Sequence, residues 1–275
     1  MSEPCGNSPS VKYCLTSSVP QIIPEKQESL YREVLESLEE QRIPYAVSGA
    51  FALQQHTGIC RYTKDLDVFL RAQDVPAALA RLCEQGFKCE VCDTVWLAKA
   101  YRDEFFVDLI TGMSNAVITV DSSWIELAHK ATIVGVNTRV LAPEELIASK
   151  LFVTRRERFD GADIAHVIYG TKGNLDWARL LRTTGEHWEV LFWALTLFHY
   201  VYPAHADYVP RQLWDELLRR FSDSLARPDP TAKFRGSLID ENMFSIDLNE
   251  WGLDNLLAQY RERAPQITSP TNACD

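Results

Sequence analysis

The 275-residue sequence has no long apolar run. Its most apolar window, residues 190–202, carries His199 and falls short of the roughly 20 residues that cross a bilayer, so it reads as a buried helix. Residues 1–20 are polar and Ser-rich, with no apolar stretch behind a basic start, and predict a loose tail rather than a secretory leader. Basic charge is also scarce. Lys and Arg number 28 against 38 Asp and Glu, a net charge of −10, which disfavours a broad polyanion-binding face but leaves room for a local basic groove. The seven cysteines are scattered, and without an export signal they predict reduced thiols in a cytoplasm. Nothing matches GxSxG, GxxxxGK[ST] or GxGxxG, which leaves hydrolase, P-loop and dinucleotide readings without support. What is present, 46% hydrophobic and 24% charged residues, is the balance of a globular chain with one large domain or two modest ones.

The pattern divides near residue 142. Leu30, Val34, Leu35 and Leu38 recur at helical spacing within 25–41. A short apolar strand at 43–47 runs into Ser48-Gly49 and a helix over 50–55. Residues 65–70 alternate as a second strand, and a helix over 75–85 ends at Gly86. Strand-like runs follow at 87–92, 95–101, 105–110, 116–120 and 132–141. Beyond Pro143 the chain reads as helices over 144–158, 161–169, 175–181, 186–201, 211–224 and 253–263, with a long loop over 226–245. The prediction is an α+β fold, a mixed β-sheet flanked by helices and followed by a helical C-terminal part. Its units are a tail (1–24), an α/β core (25–142), a helical domain (143–262) and a second tail (263–275).

The richest segment is Tyr45 to Leu70, YAVSGAFALQQHTGICRYTKDLDVFL. Asp65 and Asp67, two apart on a strand, leave the same face with Cα atoms roughly 7 Å apart. Two carboxylates in an apolar run repel each other and are costly to bury, and a divalent cation relieves both problems. A solvated strand end and an N-cap would also use these residues. Asp108 interrupts Phe105-Phe106-Val107-Asp108-Leu109-Ile110, a run that otherwise reads as a strand buried on both faces. If the two strands adjoin, three carboxylates converge, enough for two Mg²⁺ ions, with Asp108 placed to coordinate an ion or take a proton. Backbone amides binding a buried Asp108 are the alternative. Ser48-Gly49, a small-residue turn between strand and helix, suits close approach of a phosphate, although many such turns use Ser and Gly for geometry alone.

This arrangement of a small-residue turn, a short helix and Arg61-x-Thr63-x-Asp65-x-Asp67 resembles the nucleotidyltransferase superfamily that includes DNA polymerase beta. It is most similar to the branch of minimal and AbiEii-toxin-like nucleotidyltransferases. The resemblance implies catalytic and metal-binding roles for Asp65, Asp67 and Asp108, with Mg²⁺ as cofactor in a two-ion site. It also implies nucleotide binding by Ser48 and Gly49, though the family's pair is Gly-Gly or Gly-Ser and the gap to Asp65 here is long. Lys150 in Pro143-Glu144-Glu145-Leu146-Ile147-Ala148-Ser149-Lys150 resembles the lysine that reaches the nucleotide phosphates. Arg155, Arg156 and Arg158, followed by Asp163, resemble a later Lys/Arg-to-Asp motif, with Ala162 where a basic residue often stands. Arg61 and Lys64 flank the carboxylates and would neutralise substrate phosphate or pair with the aspartates. The implied reaction moves a nucleoside monophosphate from an NTP to an acceptor hydroxyl on tRNA, protein or a small molecule, releasing pyrophosphate. A catalytically silent nucleotide-binding or toxin–antitoxin-type partner with the same fold is the alternative.

Three other features carry less. Cys89 and Cys92 form a single CxxC with no second pair, and on a strand they would face opposite sides. His56 is close to the proposed site in sequence and suits helix-end packing. The aromatic run Trp188, Phe192, Trp193, Phe198, Tyr200 and Tyr202 is expected in the core.

Overall fold

The structure is a computed structural model that describes residues 23–155 and 158–268. The expected tails, Cys5, Cys14 and Cys274, and Arg156 therefore fall wholly or largely outside the described residues. Helix α1 (Glu25–Glu40) begins after Pro24, carries Glu25 and Glu28 in its first turn, and buries Leu30, Tyr31, Val34, Leu35 and Leu38. Strand β1 (Tyr45–Val47) follows, fully buried, and then helix α2 (Gly49–Thr57), which stops at Gly58 in the left-handed conformation. Next come β2 (Asp65–Leu70), α3 (Val75–Glu84), β3 (Lys88–Asp93), β4 (Leu97–Arg102) and β5 (Phe105–Ile110). Helix α4 (Ser122–Glu126), capped by the Asp121 carboxylate, leads to the hairpin β6 (His129–Ile133) and β7 (Val136–Val140).

The seven strands form one mixed sheet in the order β3-β4-β5-β2-β1-β7-β6. Strand β2 is parallel to β5 and antiparallel to β1, and β1 is parallel to β7. This topology matters because it seats β2 between the strand that leads to Ser48-Gly49 and the strand that carries Asp108.

The second half adds α5 (Pro143–Leu151), a small hairpin β8 (Thr154–Arg155) and β9 (Arg158–Phe159), α6 (Gly161–Gly170), α7 (Trp177–Thr184) and α8 (Trp188–Val201). Helices α9 (Arg211–Ala226), α10 (Gly236–Asp240), α11 (Ser245–Asn249) and α12 (Leu256–Arg263) complete it. A continuous cluster of buried apolar side chains runs from Leu35 and Val47 through Leu53 and Ile147 to Ile168, Leu195 and Leu217. No helix among the described residues is long and apolar enough to cross a membrane.

Five expectations need correction. The helix over 144–158 stops at Leu151, and its second half is the β8–β9 hairpin. The run 132–141 is a hairpin, turned by Val134 and Gly135, both at positive φ as a two-residue turn of this kind requires. The piece at 116–120 contributes only an isolated bridge between Gly112 and Thr119, and the loop over 226–245 contains α10. The aromatic run is only partly core: Phe198 is fully buried, whereas Trp193 and Tyr200 are 48% and 82% exposed.

Candidate active site

Asp65 and Asp67 leave β2 on one face, and the parallel register with β5 sets Asp67 directly beside Asp108. One carboxylate oxygen from each of the three lies within 4.8 Å of the others, close enough to share a metal ion. On the far side of β5, Lys99 of β4 stands opposite Asp108 and donates to its Oδ1 at 2.7 Å. Asp67 feels the crowding most. Burial, then the charges of Asp65 and Asp108, push its carboxyl up to about 7. Asp108 is also raised, chiefly by burial and against the pull of Lys99.

Ser48 and Gly49 roof this cluster. The Ser48 amide is committed to the sheet, donating to the Asp67 carbonyl at 2.8 Å, so it is not open to a phosphate. The amides of Gly49 and Ala50 belong to the first turn of α2, where a helix has no internal acceptor for them. Gly49 sits at φ +58, and a Cβ there would come within 1.9 Å of Asp67 Oδ2. Glycine is thus required both by backbone conformation and by the close approach of the carboxylate.

The loop after α2 supplies the next layer. Thr63 Oγ1 donates to Asp65 Oδ1 at 2.8 Å, and the Thr63 carbonyl accepts from the buried Gln27 of α1 at 2.9 Å. Arg61 makes a bidentate pair with Asp163 at 2.9 and 2.8 Å. Lys150, only 7% exposed, binds Asp160 at 2.9 Å and Asp163 at 2.7 Å. Burial alone would raise both of these carboxyls. At Asp163 the Arg61 hydrogen bonds and the Lys150 charge outweigh that and hold it below the usual range; at Asp160, Lys150 and Arg158 do the same.

These groups border a cleft of about 320 Å³. Of the expected site residues, Asp65, Asp67, Asp108, Ser48, Gly49, Arg61 and Lys150 line it, as do Arg155 and Arg158. Lys64 does not: it lies on the bend before β2 and is exposed. Asp163 stands behind the wall, holding Arg61 and Lys150 rather than facing the cleft. His56 is elsewhere too, donating from Nε2 to the Leu141 carbonyl at 2.7 Å. Cys89 is half-buried and Cys92 exposed, on opposite faces of β3 as the strand period demands. Sequence reasoning missed Lys99, Asp160 and Gln27. The alternation of β4 offered a signal for Lys99, while Asp160 and Gln27 are recognisable only once partners 10 and 36 residues away are seen.

Residues 27–188 match the model of a family described as "Nucleotidyl transferase of unknown function" (DUF2204). The chain belongs to this nucleotidyltransferase family. No curated protein matches the chain. Among solved structures, the family member is similar to the antibiotic-resistance factor ANT(2'')-Ia, with 14% identity, 65% of this chain and 99% of that one covered, and a TM-score of 0.44. It is also similar to an antigenic nucleotidyltransferase-like protein from Paracoccidioides brasiliensis, with 19% identity, coverage of 67% and 92%, and a TM-score of 0.44. A third is the lincosamide antibiotic adenylyltransferase LnuA, with 16% identity, coverage of 53% and 96%, and a TM-score of 0.38.

Proposed function

We propose that this nucleotidyltransferase is an enzyme that uses Mg²⁺ to move a nucleoside monophosphate from an NTP to an acceptor hydroxyl, releasing pyrophosphate. The observation that carries the reading is the convergence of Asp65, Asp67 and Asp108 beneath the Ser48-Gly49 turn, in a cleft also lined by Arg61 and Lys150. The donor set fits a hard divalent ion: three carboxylates, all oxygen, whose mutual repulsion is only partly met by Lys99. When bound, the metal supplies charge neutralisation and Lewis acidity at the reacting phosphate.

The protein's own groups divide the remaining work. Gly49 and Ala50 offer first-turn amides to the outer phosphates, supported by the α2 dipole. Lys150 and Arg61 take up charge that develops on the departing pyrophosphate, with Asp163 keeping both side chains extended into position. Asp108 has the outermost place in the triad toward β4 and accepts the proton of the acceptor hydroxyl. Among the described residues lining the cleft, four carboxylates, Asp65, Asp67, Asp108 and Asp160, are equal in number to four basic side chains, Arg61, Lys150, Arg155 and Arg158. A locally neutral cleft suits a polyanion that arrives with its own cations. The two-domain division at residue 142, with the helical half shaping the acceptor side, belongs to the same proposal.

The test is calorimetric titration with Mg²⁺–NTP, paired with transfer of labelled nucleotide to total RNA, lysate protein and small-molecule acceptors. Wild type is expected to bind and label one fraction, and Asp65→Asn to lose transfer while remaining folded. Absence of both binding and transfer in the wild type sinks the reading.

A further inference from the structure

The cleft has a second end that the phosphate-binding groups do not occupy. Across the sheet, the order β1, β2, β5, β4 puts Ser48-Gly49 on one side of the carboxylates and Lys99 and Trp96 on the other. The wall on the Trp96 side is aromatic and apolar, with the half-buried Trp96 indole and Met113 as its main surfaces. Its carboxylates already carry counter-ions. Asp108 is bound by Lys99 at 2.7 Å, and Asp93, just outside, is held by Arg261 of α12 through two contacts of 2.9 Å. The exposed Arg155 reaches over from the β8–β9 hairpin and donates to Ser114 Oγ at 2.6 Å, leaving a guanidinium at the rim.

The turn that carries Trp96 is tied down on several sides. The Asp93 carboxylate accepts the Val95 amide at 2.9 Å while gripping Arg261, and Arg261 also donates to the Ser114 carbonyl at 2.7 Å. The Ile267 amide closes the same corner by donating to the Thr94 carbonyl at 2.6 Å. The C-terminal helix thus braces both the turn that carries Trp96 and the loop that carries Ser114. An indole on a braced turn, with a guanidinium at the same rim and its nearest carboxylates, Asp93 and Asp108, ion-paired, is chemistry for a flat ring joined to an anionic group. It is poorly suited to a polycation, which would meet Lys99, Arg155 and Arg261.

We infer that, given the transferase reading above, the acceptor is a nucleotide-type hydroxyl, its base stacked on Trp96 and its phosphate met by Arg155. The acceptor oxygen forms a bond to the α-phosphorus of the NTP as the bond from that phosphorus to the pyrophosphate oxygen breaks. The hydroxyl proton passes to the Asp108 carboxylate oxygen that Lys99 leaves open, and pyrophosphate departs on the Ser48-Gly49 side. A free nucleotide and the 3′ end of an RNA chain present the same chemistry.

The full chain with Mg²⁺ and labelled NTP is offered four acceptors: a short RNA with a free 3′-hydroxyl, uridine 5′-monophosphate, glucose and a polycationic aminoglycoside. Label is expected in the RNA or the free nucleotide, and which of the two identifies the source. Trp96→Ala is expected to raise the acceptor KM about tenfold, the scale of one base–aromatic stack, with the NTP KM unchanged. Trp96→Phe restores most of it, and Arg155→Ala raises the acceptor KM for the phosphate-bearing acceptors. Trp96→Phe and Arg155→Ala carry the test if Trp96→Ala fails to fold. Labelling of glucose or the aminoglycoside instead, a changed NTP KM in place of the acceptor KM, or Mg²⁺–NTP binding with none of the four labelled, overturns the acceptor assignment alone. Failure to bind Mg²⁺–NTP at all removes the transferase reading beneath it.

Discussion

Replacing Asp67 by Asn removes one negative charge from a cluster that holds three. In the metal-free protein its carboxyl titrates near 7 rather than 3.8, because burial and then the charges of Asp65 and Asp108 penalise the ionised form. The sign follows from proton counting. Between pH 3.8 and 7 the unfolded chain has lost this proton and the folded chain has kept it, so wild-type stability falls as pH rises through that window and is level above it. A shift of about three units converts to about 4 kcal/mol at full effect. Part of Asp67 still meets water in the cleft, so about 2–3 kcal/mol is the expected size.

Asp67→Asn keeps the side-chain shape and removes the titration. Urea unfolding in EDTA should therefore show wild type and variant nearly equal at pH 4, with the variant about 2–3 kcal/mol more stable at pH 8. Adding Mg²⁺ at a hundredfold excess over Kd closes most of the gap. Wild type gains RT ln(1 + [L]/Kd), about 2.7 kcal/mol at a hundredfold excess over Kd, and the variant gains less. A site whose ligands destabilise the empty fold is one organised for an ion rather than for packing. If metal-free Asp67→Asn is less stable than wild type at pH 8, the charge-crowding account of this cluster is wrong.

Two further substitutions probe the supports of the site. Gly49→Ala places a Cβ 1.9 Å from Asp67 Oδ2 at a φ of +58, so the unfolding free energy from urea titration should fall by at least the about 1–2 kcal/mol of left-handed strain, and calorimetry should show weaker Mn²⁺ binding. Glu145, buried beside Glu144 and Arg179, has its carboxyl raised from 4.5 to about 7, mainly by burial and despite the Arg179 charge. Its contribution to stability also declines as pH rises from 4.5 to 7. Glu145→Gln should remove that slope and be about 2 kcal/mol more stable than wild type at pH 8 in denaturant titrations.

The fold was readable where burial wrote a period into the sequence. The helical spacing of Leu30, Val34, Leu35 and Leu38 and the apolar run around Asp108 both appear in the structure where the pattern placed them. Reading failed where local propensity and tertiary contact disagree. Thr154 to Phe159 contains Arg and Glu, good helix formers, yet the chain turns back as β8–β9 and sets Arg155 and Arg158 at the cleft. Val134 is a β-branched residue at positive φ, so nothing in the string 132–141 marked the hairpin turn but Gly135. Trp193 and Tyr200 share the α8 period with Phe198, but a helix packed on one side buries one stripe, and these two lie outside it.

The site shows the same division at finer scale. Asp65 and Asp67 were legible because two residues on a strand share a face regardless of context, and Asp108 because an acid in an apolar strand demands a partner. Their meeting was not legible. It depends on β2 and β5 being parallel neighbours in a register that aligns Asp67 with Asp108, although β3 and β4 separate them in sequence, and any slip by one residue would turn Asp108 to the opposite face. Lys64 illustrates the converse: adjacent to Asp65 in sequence, it sits on the bend just before β2, exposed and off the cleft lining. Charge near a motif is therefore weak ground for assigning a role, and pairing across the sheet is strong ground. By that criterion Lys99, invisible in any linear motif, has a better claim on the chemistry of Asp108 than Lys64 has on that of Asp65.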